Sequence, residues 1–301
     1  MINWALLGSY VLSLLVMVGL PIVLSFLIVR RFRVSWLVVL TGAVAYALYY
    51  LGTMGVDQLF INGTIPTPPS AWPMVLRAAT FGLISGIIEE GIRWLSFKAL
   101  GRTAEKFGSG PALGVGHSGA ESIFYGVLAI GIPLVNNLFF NPGREIAKGT
   151  AMGTVQSMLN SISVFWSQPF YNGLAQGGVS LVTLSIQIFL SILVWKSISD
   201  RQFLWFLLAV VYQVALFLFN TYLGQLNLPA YLTIATMCLI LLINVYLSYR
   251  FITDEMEAEE EDEEEEDENE DQQELELESS EEEGEWGDGD NQDQGDSEQP
   301  S

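Results

Sequence analysis

WALLGSYVLSLLVMVGLPIVLSFLIV, residues Trp4 to Val29, runs for 26 residues without one charged side chain. About 20 apolar residues in helical form cross the hydrocarbon core of a bilayer, so this stretch alone is long enough to span one. No basic residue precedes it and no small-residue cleavage site follows it, so it is expected to be a retained span rather than a removed signal peptide. Six further apolar runs follow, at Trp36 to Met54, Trp72 to Leu95, Leu113 to Val135, Val179 to Trp195, Phe203 to Leu223 and Tyr231 to Phe251. Several begin or end at Trp or Tyr, whose rings settle at the membrane–water interface. The pattern predicts an all-α, polytopic transmembrane helical bundle of about seven spans.

Charge is segregated along the chain. Of the 34 acidic residues, 27 lie from Asp254 onward, and all 13 Lys and Arg lie before it, so the body keeps 7 acids and a net charge of +6. Residues 1–253 therefore read as the transmembrane domain and residues 254–301 as a disordered acidic tail, because few apolar residues there offset the entropy of ordering. Lys and Arg collect in cytoplasmic loops. Arg30, Arg31, Arg33, Lys98, Arg102, Lys106, Lys196, Arg201 and Arg250 all fall on one side if the N-terminus is outside, against Arg77, Arg144 and Lys148 on the other. That places the N-terminus outside and the tail in the cytoplasm, in what reads as a prokaryotic plasma membrane. The bilayer is the expected partner, and a nucleic acid is not.

Thr150 to Gly178 is rich in Ser, Gln, Asn and Gly, and is expected to be interfacial or re-entrant, since an extra crossing would break the charge pattern. Asp57 to Ala71, with Pro66, Pro68 and Pro69, is expected to be an irregular external loop. Within it Asn62-Gly63-Thr64 fits a glycosylation acceptor, which matters only in a secretory pathway. The single cysteine, Cys238, excludes a disulfide framework and reads as a packing residue in an apolar run.

Chemistry concentrates in one place. An ionisable side chain inside a membrane helix costs roughly 2.5 to 3.5 kcal/mol on insertion scales, so each one needs a reason. Glu89, Glu90 and Arg93 lie in one expected span, and Glu121 and the only histidine, His117, in the next. Glu89 and Glu90 stand four and three residues before Arg93, so its guanidinium reaches either carboxylate on one helix face. His117 and Glu121 are also four apart, a spacing that puts two metal ligands on one face. A short loop makes the two helices antiparallel, and both groups fall near the cytoplasmic end. Gly82 and Gly86, and Gly114, Gly116 and Gly119, permit close helix approach around them. Gly114-Val-Gly116-His-Ser-Gly119 also matches the dinucleotide fingerprint, but no strand precedes it.

Glu89-Glu90-Gly-Ile-Arg93 followed by Gly116-His117-Ser-Gly119-Ala-Glu121 resembles the first two motifs of the YhfC-type membrane proteins, relatives of the CAAX-prenyl-processing and bacteriocin-processing intramembrane metalloproteases. The resemblance covers about Trp72 to Asn220. It implies peptide-bond hydrolysis within the bilayer, with a glutamate activating water and a divalent metal, zinc in the first instance, held by His117 and Glu121. Glu89 or Glu90 would act as base or further ligand and Arg93 would hold the carboxylates. The substrate would be a membrane-embedded or juxtamembrane peptide. The chain departs from the pattern in its third part. Gln187 stands where the resemblance implies a histidine, Gln213 where it implies another, and Phe217 where it implies an acid. Two other readings stay open: a catalytically degraded member acting as a membrane binding or scaffold protein, and a transporter using the intramembrane carboxylates.

Overall fold

A computed structural model describes residues 2–69, 71–226, 229 and 232–257. The chain divides into two units, Met1–Arg250 and Phe251–Ser301. Of the second, residues 251–257 are described and are helical, so Asp254 to Glu257 continue a helix where disorder is expected; residues 258–301 of the tail lie outside the described residues.

The first unit is helical, with no strand among the described residues. In chain order the helices are α1 (Trp4–Phe32), α2 (Trp36–Ile61), α3 (Met74–Leu100), α4 (Ser109–Tyr125), α5 (Ile132–Phe139), α6 (Pro142–Ala147), α7 (Met152–Trp166), α8 (Tyr171–Ser199) and α9 (Phe203–Gln225), followed by α10, which runs from Leu232 to Glu257. By length and composition, α1, α2, the stretch Ser109–Phe139, α8, α9 and α10 qualify as membrane spans. The remaining expected span is α3. Its 27 residues are long enough to cross, but it carries Arg77, Glu89, Glu90 and Arg93. The expected start of the last span, Tyr231, lies outside the described residues.

Local chemistry sets the helix ends. The Asn3 side chain accepts the Leu6 amide at 3.1 Å, and the Ser35 side chain accepts that of Leu37 at 3.2 Å, supplying partners to amides that lack one in the first turn. Helix α2 outruns its expected end at Met54 and continues to Ile61, so Asp57 to Ile61 are helical rather than loop. The turn that stops it uses Gly63 at φ +69°, a left-handed conformation that glycine adopts without a Cβ clash. Before Pro133, which cannot donate a backbone hydrogen bond, residues Gly126–Gly131 widen into a π-helical turn that joins α4 to α5.

Helix α4 sits at the centre, packed by α1, α2 and α8, while α3 lies between α2, α8 and α9. The glycines of α4 account for this. A Cβ on Gly116 would stand 2.0 Å from the Val39 carbonyl oxygen of α2, and one on Gly114 would stand 2.7 Å from Ile188 Cα of α8. The two glycines thus let backbones meet on opposite sides of one helix. Their likeness to a nucleotide-binding loop comes from this packing, in mid-helix.

The segment Thr150 to Gly178 is split. Met152–Trp166 forms the short helix α7, and residues 171–178 are the first two turns of α8, ahead of its expected start at Val179. The physical cause is α1: Gly173 and Gly177 nestle against Ser9 and Ser13, and Ser13 Oγ donates to the Gly173 carbonyl at 2.6 Å. Trp166 joins Leu6, Tyr10, Met17, Ile130 and Leu134 in an apolar core that anchors α7. Cys238 is exposed rather than packed.

One end of the bundle gathers the basic residues. Gly108 packs on Phe32 and Val34, and Trp195 Nε1 donates to the Ala104 carbonyl at 2.8 Å, which brings the α1–α2, α3–α4 and α8–α9 connections together. Arg33, Arg102, Lys106 and Arg201 lie in those connections.

Candidate functional site

Helix α3, packed between α2, α8 and α9, carries Glu89, Glu90 and Arg93, and all three are buried. Arg93 Nη1 donates to both oxygens of Glu90, at 2.7 and 2.6 Å. Its Nη2 donates to Glu89 Oε1 at 3.2 Å and also to the Gln187 amide oxygen. Gln187 on α8 returns its amide N–H to Glu89 Oε1 at 2.7 Å, and Gln213 on α9 donates to Glu89 Oε2 at 2.7 Å. Reversing either amide would press its oxygen on the carboxylate, so the network defines both orientations. Small residues make room for it: Gly86 of α3 lies against the Gln213 side chain.

His117 of α4 is fully buried, with Nε2 3.3 Å from Glu89 Oε1 but outside hydrogen-bond geometry, and neither ring nitrogen has a hydrogen-bond partner among the described residues. Tyr46 stands edge-on to its ring, at 5.6 Å between centroids. Glu121, one turn on, is half-buried, and its Oε2 is shielded and without a hydrogen bond among the described residues. An ion pair in this setting is fixed by directional hydrogen bonds, because water that would otherwise solvate the charges is excluded.

A cavity of about 560 Å³ opens beside the network, walled by α8, α9 and α10 and floored by Tyr49, Glu89, Glu121, Gln187 and Gln213. Glu90, Arg93 and His117 do not line it. The structure therefore divides the candidate residues: Glu89, Glu121 and the two glutamines face the cavity, while Glu90, Arg93 and His117 form the layer behind. Tyr49, which the sequence reading passed over, lines the cavity and exchanges a hydrogen bond with Ser85 at 3.0 Å. Its signal was weak, one ring among the Tyr46, Tyr49 and Tyr50 group of an apolar helix. Asn220 also lines the cavity, whereas Asn244 bonds Tyr212 Oη and the Ile240 carbonyl and does not.

A family model described as YhfC intramembrane metalloprotease matches residues 15–240. The chain belongs to that family. No curated protein and no solved structure matches it. Membership gives a multi-pass membrane protein with a metalloprotease-like role, and the family description implies a divalent metal. Held as they are here, Glu89, Glu90 and Gln187 do not complete a donor set for one. Both oxygens of Glu90 are held by Arg93, both of Glu89 by amides and Arg93, and the Gln187 oxygen faces the guanidinium. Among the described residues no three His, Cys, Asp or Glu side chains are grouped as a metal requires.

Proposed function

We propose that this chain is a YhfC-family membrane protein that binds a membrane-embedded or juxtamembrane peptide segment without a catalytic metal. One observation carries the reading: Arg93, Gln187 and Gln213 together saturate Glu89 at the floor of an open cavity. The guanidinium shares one positive charge between Glu89 and Glu90, and the glutamines supply hydrogen bonds where the family resemblance implies histidines. Amide and phenol groups lining the cavity beside apolar walls suit a peptide backbone that would otherwise lack partners in the bilayer. The basic end of the bundle supports an N-terminus outside and a cytoplasmic tail, in a prokaryotic plasma membrane.

A second reading is peptide-bond hydrolysis with zinc on His117 and Glu121, Glu89 or Glu90 serving as base and Arg93 holding the carboxylates. It is favoured by the buried nitrogens of His117 and the Oε2 of Glu121, which lack hydrogen-bond partners. It requires the carboxylate network to open.

Elemental mass spectrometry of the purified protein separates the two. The wild type is expected to carry no zinc above background even after incubation with the metal, and the Gln187→His, Gln213→His double variant to gain it. Stoichiometric zinc in the wild type, lost in His117→Ala, would overturn the metal-free reading.

A further inference from the structure

A second, smaller cavity of about 260 Å³ lies between α1, α4 and α8, walled by Glu121, Ser122, Tyr125, Gln176, Ser180 and Thr183. It shares Glu121, Val179 and Thr183 with the large cavity, so Glu121 stands at the junction of the two. The π-helical turn Gly126–Gly131 follows Tyr125 directly, and its Ala129 reaches the same wall. None of this chemistry is used by the network on Glu89.

The electrostatics of the junction are incomplete. Arg93, the guanidinium within the site, is committed to Glu89, Glu90 and Gln187. Glu121 has no ion-pair partner among the described residues, and its Oε2 is shielded without a hydrogen bond. A carboxylate withdrawn from water and left alone is costly, and a cation brought to it recovers that cost. The remaining wall is rich in groups that accept hydrogen bonds. The Ser122 and Ser180 hydroxyls bond each other, leaving further lone pairs, and Gln176 offers an amide oxygen. A primary ammonium has three donors and no acceptor, which matches a carboxylate surrounded by such oxygens.

We infer that Glu121 and the hydroxyl-lined side cavity form a subsite for the lysine side chain of a peptide segment lying in the large cavity. The inference rests on the peptide-binding reading above and adds a specificity to it. Lysine in a bilayer and Glu121 in its cavity are each unfavourable alone, and pairing relieves both at once.

The test uses the full chain in lipid nanodiscs and labelled leucine–alanine transmembrane peptides with one lysine at successive depths, beside versions carrying norleucine or N-acetyl-lysine at the same position. At one depth the lysine peptide is expected to bind at least about tenfold tighter than both neutral versions, the order given by one charge-assisted hydrogen bond. Glu121→Gln is expected to abolish that difference. Equal binding of charged and neutral peptides to the wild type, at every depth, overturns the lysine subsite and leaves peptide binding standing. Binding of none of them overturns both. The wild-type comparison decides the matter even if the variant fails to fold.

Discussion

Arg93 is fully buried and makes hydrogen bonds to two carboxylates and an amide. Removing one partner of a buried ion pair leaves the other charge without compensation, which costs about 3 to 5 kcal/mol. Arg93→Ala is expected to lose stability of that order, read as a large drop in the thermal midpoint of the detergent-solubilised protein. A change no greater than that of a surface substitution would mean the network does not hold the core together. Arg93→Lys is expected to rescue only part of the loss, since one ammonium cannot reproduce the planar fork that serves Glu90 with one nitrogen and Glu89 and Gln187 with the other. The presence of ionisable residues at 89, 90, 93, 117 and 121 was legible from their cost in a membrane. Their division into a cavity-facing set and a layer behind was not, because helical spacing gives a face but not the neighbour that covers it.

At the scale of elements, α4 is the part whose composition decides its place. Its glycines admit α2 on one side and α8 on the other, and the contacts are with backbone atoms that cannot swing away. Gly116→Val is therefore expected to destabilise by about 1 to 3 kcal/mol or more, the range for overpacking a dense interior. Lower thermal stability with the same variant's helix content kept, by circular dichroism, would be the signature; unchanged stability would show that α2 and α4 are not pressed together there. The early start of α8 comes from the same kind of contact. Gly173 and Gly177 look like loop residues in one dimension, and only against Ser9 and Ser13 of α1 do they read as helix interface.

For the whole molecule, the gathering of the α1–α2, α3–α4 and α8–α9 connections at one end carries the topology. In a Cys238→Ala background, single cysteines at Ser35 and Gln202 are expected to resist an impermeant thiol reagent in intact cells, and one at Asn62 to react. The reverse pattern would invert the orientation argued from the basic residues. The same end-to-end arrangement bears on the transporter reading, for which a polar path must link both faces. Asn244 is tied to Tyr212 outside the cavity, so it adds nothing to such a path.

By itself the sequence determined that the chain is a helical membrane protein, which helices hold charge, and which family it belongs to. Those follow from properties that are local or additive: apolar length against bilayer thickness, the cost of a charge in hydrocarbon, and the spacing of short motifs. Only the tertiary structure decided that Gln187 and Gln213, 26 residues apart and on different helices, both donate to Glu89. It alone showed that Glu121 sits between two cavities with an oxygen unsatisfied. The reason is that a hydrogen bond needs a partner within about 3 Å, and which helices come that close is set by where small residues let backbones meet, a property of pairs of surfaces rather than of either sequence segment alone.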